Sequence, residues 1–580
     1  MGVTRSRIWK QSRHMLGQIT RIASLGILVG LSSAILANAF VACIVWLNDV
    51  LRISPQSRSG MEGGPGWLML ATVLVPAMGG LMVGLLHRCI REGRSHGPAE
   101  VIAAVQSRQG QLPQRTAILS GLSSLLSLGS GASVGQYGPL VHIGGAIGSF
   151  WSRRFHMDVS MGNMAIACGA AAAISTVFYA PIAGILFAQE VILRHFSLRA
   201  FAPISVASIV GYVAASTVLP QPPLFRIEVA EVLHVWEYGF FLLLGVTSAA
   251  VAVLYMSAIL GMSRWAVRIP LPGACKPMVA GAVLGLAALW VPEILGIGTE
   301  TLRLSIDGAY GSWQLMLILV LKLLATAWCL GMGFSGGVFT PALVVGSLFG
   351  ALFGTALGLV FGDSLSALAV YTVCGMVAVT APVIGAPLTT VVIVFEMTGN
   401  YDLTIAALAS VALANLVASR LFSRSLFDRQ LKERGLDLSG GRGKALLTLN
   451  TIAPLVSDRY VSLSEDIPVQ DAIRAISHAH SASAYLVNAD GQYRGTVQLP
   501  ELMDRDPDQP ARQWRLHPET SLPLDTSIWH AMECLRDFAG ESVPVVDRDN
   551  RLVGTVFESD LIRTYLDILA SMRREEYAAR

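Results

Sequence analysis

Residues Leu128–Gly148 read LGSGASVGQYGPLVHIGGAIG, and residues Leu330–Gly350 read LGMGFSGGVFTPALVVGSLFG. The two align without a gap: glycines 129, 131, 135, 144 and 148 fall on glycines 331, 333, 337, 346 and 350, and Pro139 falls on Pro341. Each copy interrupts a hydrophobic segment with small-residue backbone and restarts a helix near a proline. In a membrane protein, matched breaks in two halves point to a substrate site. Tyr137, at the helix start of the first copy, stands where the mechanism is decided.

Composition puts these breaks in a bilayer. Of 580 residues, 53% are hydrophobic, only 14% are charged and 56 are glycines, which is unusual for a soluble chain. From Ile22 to about Phe422 the sequence is mostly apolar runs long enough to span, among them Ile22–Leu47, Gly66–Leu86, Phe240–Leu260, Leu315–Leu330, Pro341–Phe361 and Ile405–Leu421. Beyond Ser423 it turns polar, so a soluble domain follows. Arg5, Arg7, Lys10 and Arg13 precede an apolar stretch too long for a secretory signal and without a cleavage pattern. They place the N-terminus, and with it the C-terminal domain, in the cytoplasm. The expected location is a bacterial inner (plasma) membrane.

Several function classes fall away. A net charge of +3 with no basic patch argues against nucleic acid, and the seven cysteines show no CxxC spacing and read as small buried hydrophobes. Gly331–Gly336 fits GxGxxG, but it follows a membrane helix rather than the strand of a dinucleotide site. No nucleophile–base set, metal-ligand spacing or phosphate loop suggests an enzyme, and no cofactor is required.

A broken helix has its own chemistry. A helix start offers free N–H donors and roughly half a positive charge. Starts that converge replace an anion's hydration through bonds of about 1.5–3 kcal/mol each, with no lysine or arginine to trap it. Binding with release is what conduction needs. Glycines 135, 138, 336 and 337 suit close backbone approach to an ion, against the plainer reading that small residues serve helix packing.

These residues resemble the CLC family of chloride channels and chloride/proton exchangers over nearly the whole chain. Gly337-Val-Phe-Thr-Pro341 looks like the family's GxFxP filter segment, and Gly135-Gln-Tyr-Gly-Pro139 takes the place of GREGP. Ala180–Phe187 and Val394–Tyr401 match further family segments, whereas Ser95-His-Gly-Pro98 keeps only serine and proline of GSGIP. The resemblance implies an all-α polytopic membrane domain built as an inverted repeat of broken helices, and a homodimer in the lipid bilayer with one anion pathway per subunit. Carried over residue by residue, it implies contacts to chloride or a similar small anion from Ser95, from the amides near Tyr137 and Gly138, and from the amides of Val338, Phe339 and Thr340. Phe427 takes the place of the tyrosine that closes the central site.

Three departures follow from that alignment. The gating glutamate of GREGP is Tyr137. The internal proton-relay position is Val191, with Glu190 at the first acid of the pair. Phe427 has no hydroxyl. A tyrosine of pKa about 10 does not titrate near neutrality, so coupled exchange loses both carriers. The expectation is a passive anion channel whose steric gate, if Tyr137 is one, adds little pH dependence between about 5 and 8; the alternatives are that Tyr137 packs sideways and leaves the path open, an exchanger with atypical proton carriers, and a non-conducting ion sensor. His96 and His142 are candidates for pH control, or simply packed histidines. Selectivity among chloride, bicarbonate, nitrate and fluoride is not encoded in readable side chains.

The polar region carries a second repeat: Leu463, Asp466, Ala472, Ile476 and Gly495-Thr-Val497 recur as Leu522, Asp525, Ala531, Leu535 and Gly554-Thr-Val556. Each copy predicts helix (469–476; 528–535), strand (484–487; 543–546), turn, strand and helix. It resembles a tandem pair of CBS domains, an α/β fold that often binds adenine nucleotide through a Ser/Thr and an Asp. Here those positions read Gln498 and Phe557, and Glu501 and Asp560. Only Asp560 matches, so nucleotide sensing and a structural, dimerising role stand side by side. The expected domains are 1–436 (repeat halves about 22–225 and 235–425), a linker 437–449, CBS domains 450–508 and 509–568, and a charged tail 569–580.

Overall fold

A computed structural model of the chain describes residues 2–51, 53, 66–107, 110–217, 231–422, 424–516, 520–536 and 542–577. It divides into two units, Met1–Gly435 and Leu436–Arg580. The first is helical, and eight of its described helices are long and apolar enough to cross a membrane.

In the membrane unit the first half runs α1 (Gly2–Val50), α2 (Gly66–Arg88), α3 (Pro98–Gln106), α4 (Gln114–Gly129), α5 (Tyr137–Arg154), α6 (Val159–Phe178), α7 (Pro181–Phe187) and α8 (Leu198–Thr217). The second runs α9 (Tyr238–Arg268), α10 (Lys276–Ala287), α11 (Thr299–Ile306), α12 (Ser312–Gly331), α13 (Phe339–Phe361), α14 (Leu368–Ile384), α15 (Pro387–Thr398) and α16 (Tyr401–Leu421). The halves correspond helix for helix. α1 packs on α6 and α8 as α9 packs on α14 and α16, and a last short helix, α17 (Leu426–Glu433), closes the unit.

With lipid as apolar as any side chain, helices here associate by close packing at small residues. The repeated glycines supply it. A Cβ on Gly144 would run into the Gly169 carbonyl across the α5–α6 crossing, and one on Gly346 would meet the Gly375 carbonyl at 2.7 Å across α13–α14. Gly131 and Gly333, at matched positions in the two breaks, both adopt left-handed φ, +86° and +103°, which lets the chain turn out of α4 and α12.

The second unit holds two three-stranded sheets of one topology: β1 (Ser462–Ser464), β2 (Ser483–Val487) and β3 (Tyr493–Gln498), then β4 (Leu522–Pro523), β5 (Ser542–Val546) and β6 (Leu552–Phe557). In each, the first pair is parallel and the second antiparallel, with a register shift at matched places, Leu486/Val487 and Val545/Val546. Two expected boundaries need correction. The stretch 437–449 is not a plain linker: it forms α18 (Gly441–Leu449), whose Leu447, with Ile452, is buried in the core of the second subdomain. The tail is not separate either, since α22 (Glu558–Tyr577) continues through residue 577, following α19 (Val469–His478), α20 (Leu499–Leu502) and α21 (Ile528–Leu535).

Gly169→Leu and Gly375→Leu should each abolish a monodisperse peak in detergent gel filtration. Gly358→Ala, whose added Cβ meets nothing within 4 Å, should raise the thermal midpoint slightly, by about 0.5–1 kcal/mol of helix propensity.

Candidate functional site

The two breaks meet. Gly135 N–H donates to the Gly337 carbonyl at 2.7 Å and Gly337 N–H donates to the Gly135 carbonyl at 2.6 Å, an antiparallel bridge between equivalent residues of the halves. Equivalent residues bonding reciprocally define a local two-fold axis. Glycine is needed there: a Cβ on Gly337 would lie 2.6 Å from the Gly138 nitrogen, and one on Gly138 would lie 2.7 Å from the Gly337 Cα. From this bridge α5 and α13 start side by side, with Tyr137 and Phe339 at their first positions and Pro139 and Pro341 at their third. Proline fits a first turn, where its missing N–H costs nothing, and the remaining first-turn amides have no intrahelical acceptor.

Tyr137 is 1% exposed. Its ring stacks on Phe178 at 4.1 Å and meets Phe339 edge-on at 5.2 Å, while Phe178 and Phe339 also meet at 5.2 Å. Its hydroxyl lies near the Gln136 side chain without a well-formed hydrogen bond, and the buried Thr340 Oγ1 is also unpaired. A narrow apolar cavity opens beside this cluster, lined by Pro98, Tyr137, Gly138, Val141, Ile174, Phe187, Val338, Phe339, Ile384 and Phe427. Five residues singled out from sequence, Tyr137, Gly138, Val338, Phe339 and Phe427, thus line one cavity. Ser95 does not. It sits half-buried in the loop before α3, and that element gives the cavity Pro98 instead.

Val191 is buried in a π-helical turn, Ala188–Leu193, that follows α7. Its neighbour Glu190 is fully engaged: the carboxylate accepts from the amides of Leu388 (3.1 Å) and Thr389 (2.9 Å) and from the Thr389 hydroxyl (2.7 Å), at the start of α15. Glu396, near the end of α15, does the same for α7, accepting from the amides of Ile182 (2.8 Å) and Ala183 (2.7 Å). Each half lends a carboxylate to the other's helix start, where the dipole favours it.

Other contacts escaped the sequence. Tyr255, buried in α9, donates to the Val338 carbonyl at 3.0 Å and pins the second break. Ser335 is held by Ser123 (2.6 Å), His87 (2.9 Å) and, through its amide, Ser127 (3.0 Å). Lys322, buried in α12, donates to the carbonyls of Ile294 (3.0 Å) and Gly296 (2.9 Å), and the Gly296 amide donates in turn to Gly131 in the first break (2.8 Å). A lone tyrosine or lysine in an apolar run gives no sign of such a partner.

In the second unit Asp560 sits at the start of α22, 3.8 Å from the Arg563 guanidinium, and Glu501 is exposed. The face between subdomains is occupied by Tyr485, whose hydroxyl hydrogen-bonds Ser542 (2.6 Å) and Thr555 (2.9 Å).

Comparison with known proteins agrees with this architecture. The profile described as voltage gated chloride channel matches residues 78–419, and the CBS domain profile matches residues 501–567. The chain is 30% identical over 384 residues to a putative chloride channel protein, ClcB-like, of Ralstonia nicotianae, covering 65% of this chain and 89% of that one. It is 28% identical over 335 residues to the voltage-gated ClC-type chloride channel ClcB of Escherichia coli, covering 57% and 80%. Among solved structures it resembles a slow cyanobacterial Cl-/H+ antiporter (TM-score 0.65, 22% identity, 71% of this chain and 98% of that one). It also resembles a eukaryotic CLC transporter (TM-score 0.62, 19% identity, 94% and 98%).

Glu190→Ala leaves three donors at the start of α15 without their acceptor, and Glu396→Ala leaves two at α7. Each should lower the thermal midpoint in detergent by a loss of about 1–3 kcal/mol, the former by more.

Proposed function

Because the chain belongs to the voltage-gated chloride channel family, we propose that it conducts chloride or a similar small anion passively across the membrane as a homodimer, with Tyr137 as a steric gate. The observation that carries this reading is the aromatic cluster of Tyr137, Phe178 and Phe339 at the shared helix start. A carboxylate there would compete with an anion by charge and carry protons; a neutral phenol does neither. Val191 offers no proton site in the interior, and the adjacent Glu190 is committed to α15.

The unpaired hydroxyls of Tyr137 and Thr340 support an anion beside them. A buried hydroxyl without a partner costs about 1–3 kcal/mol, and a chloride accepting a hydrogen bond from either one removes that cost. The first-turn amides of α5 and α13 add donors without adding a fixed charge. The paired C-terminal subdomains take a structural role in this reading, since Tyr485 fills the face between them.

In liposomes, wild type should carry chloride flux that no proton gradient accompanies. Tyr137→Ala should raise that flux several-fold, by removing the obstructing ring. Tyr137→Glu should lower it at neutral pH and restore it on acidification, because a carboxylate blocks when ionised and releases the site when protonated, near or above its ordinary pKa of about 4.3. Uphill proton movement driven by a chloride gradient in wild type would overturn the channel reading in favour of an exchanger.

A further inference from the structure

Among the described residues, most ionisable side chains buried in the membrane unit are fully partnered: Glu190 by amides, Lys322 by carbonyls, and Glu237 by Ser366 and Tyr371. Two histidines are not. His96, in the loop before α3, and His142, on α5, meet edge-on with ring centroids 5.8 Å apart. Both are buried; His96 Nδ1 and His142 Nε2 lack hydrogen-bond partners, and His96 Nε2 reaches only the Glu92 carboxylate, without a well-formed hydrogen bond. A buried, unsatisfied donor or acceptor in a native structure calls for a reason, such as a proton, water or ion that comes and goes.

The pair is placed to matter. Pro98, two residues after His96, and Val141, one before His142, both line the cavity beside Tyr137. On its other side His96 Nε2 lies 3.3 Å from the half-exposed Glu92 carboxylate, a route for protons from solvent. We infer, on the reading of that cavity as the anion path, that His96 and His142 form a proton-binding site whose charging strengthens anion binding in the cavity.

The charged groups facing the pair are Glu92 and Arg94 from the loop, Glu100 from α3, and Arg434 just past α17; α6, packed along α5, brings no charged side chain. Arg94 bonds both Glu92 (2.6 Å) and Glu100 (2.5 Å), and Arg434 also bonds Glu100. Burial opposes ionisation of Glu100, yet the Arg434 and Arg94 guanidiniums hold its carboxyl down at about 2, so its charge is fixed across the working range. Burial also keeps His96 below its ordinary value, against the upward pull of Glu100 and Glu92. His96 is therefore neutral at pH 7, and the site gains charge on acidification. Tyr137 contributes nothing to this response.

Chloride binding by the full-length protein in detergent, measured calorimetrically at pH 7.5 and 4.5 on monodisperse samples, tests the site. Wild type should bind roughly three- to tenfold more tightly at the lower pH. His142→Gln and His96→Gln should each lose most of that gain. Glu92→Gln, a change at a half-exposed residue, should keep the gain but shift its midpoint to lower pH. The same tightening in both histidine variants, or no tightening or no binding in wild type, overturns the inference. Uphill proton transport in liposomes would instead sink the passive-channel reading and leave the calorimetric result standing.

Discussion

Two hydrogen bonds between Gly135 and Gly337 hold the membrane unit to its function. Inside a bilayer no water satisfies a backbone that leaves its helix, and each orphaned group costs several kcal/mol. Here each break is the partner of the other. The bond pair lets the chain be non-helical at membrane depth, brings α5 and α13 to a common origin, and requires glycine wherever the two backbones touch. The Tyr137–Phe178–Phe339 cluster and the cavity beside it sit where they do because these starts are fixed.

The same device recurs through the molecule. Glu190 and Glu396 exchange helix starts between the halves. In the second unit, Tyr493 N–H donates to the Asn550 carbonyl and Leu552 N–H to the Gly491 carbonyl, again between equivalent positions of a repeat. A duplicated segment whose copies bond to each other reciprocally satisfies both with one geometry, so one set of residues serves twice.

Much of this was legible in sequence, and what was hidden has a physical pattern. The repeat of Gly129–Gly148 in Gly331–Gly350 announced the broken helices, because glycine and proline act on the local backbone and leave a local mark. The strands expected at 484–487 and 543–546, read as parts of the repeated unit, formed over Ser483–Val487 and Ser542–Val546. The glycines, read first as making room for an ion, are used at least as much to let one break approach the other. Tyr255, Ser335 and Lys322 were invisible because their partners lie far along the chain. Ser95 carried a motif too degraded to fix a side chain, and α18 looked like a linker because Leu447 has its partners in the second subdomain rather than beside it.

The Gly135–Gly337 bridge also has a timetable. The second glycine is made some 200 residues after the first, which at about 5–20 residues per second is roughly 10–40 seconds of synthesis. For that interval the first break sits with its backbone unmatched. Until its counterpart arrives, the nascent first half carries two backbone groups that find their partners only when the second break folds against it.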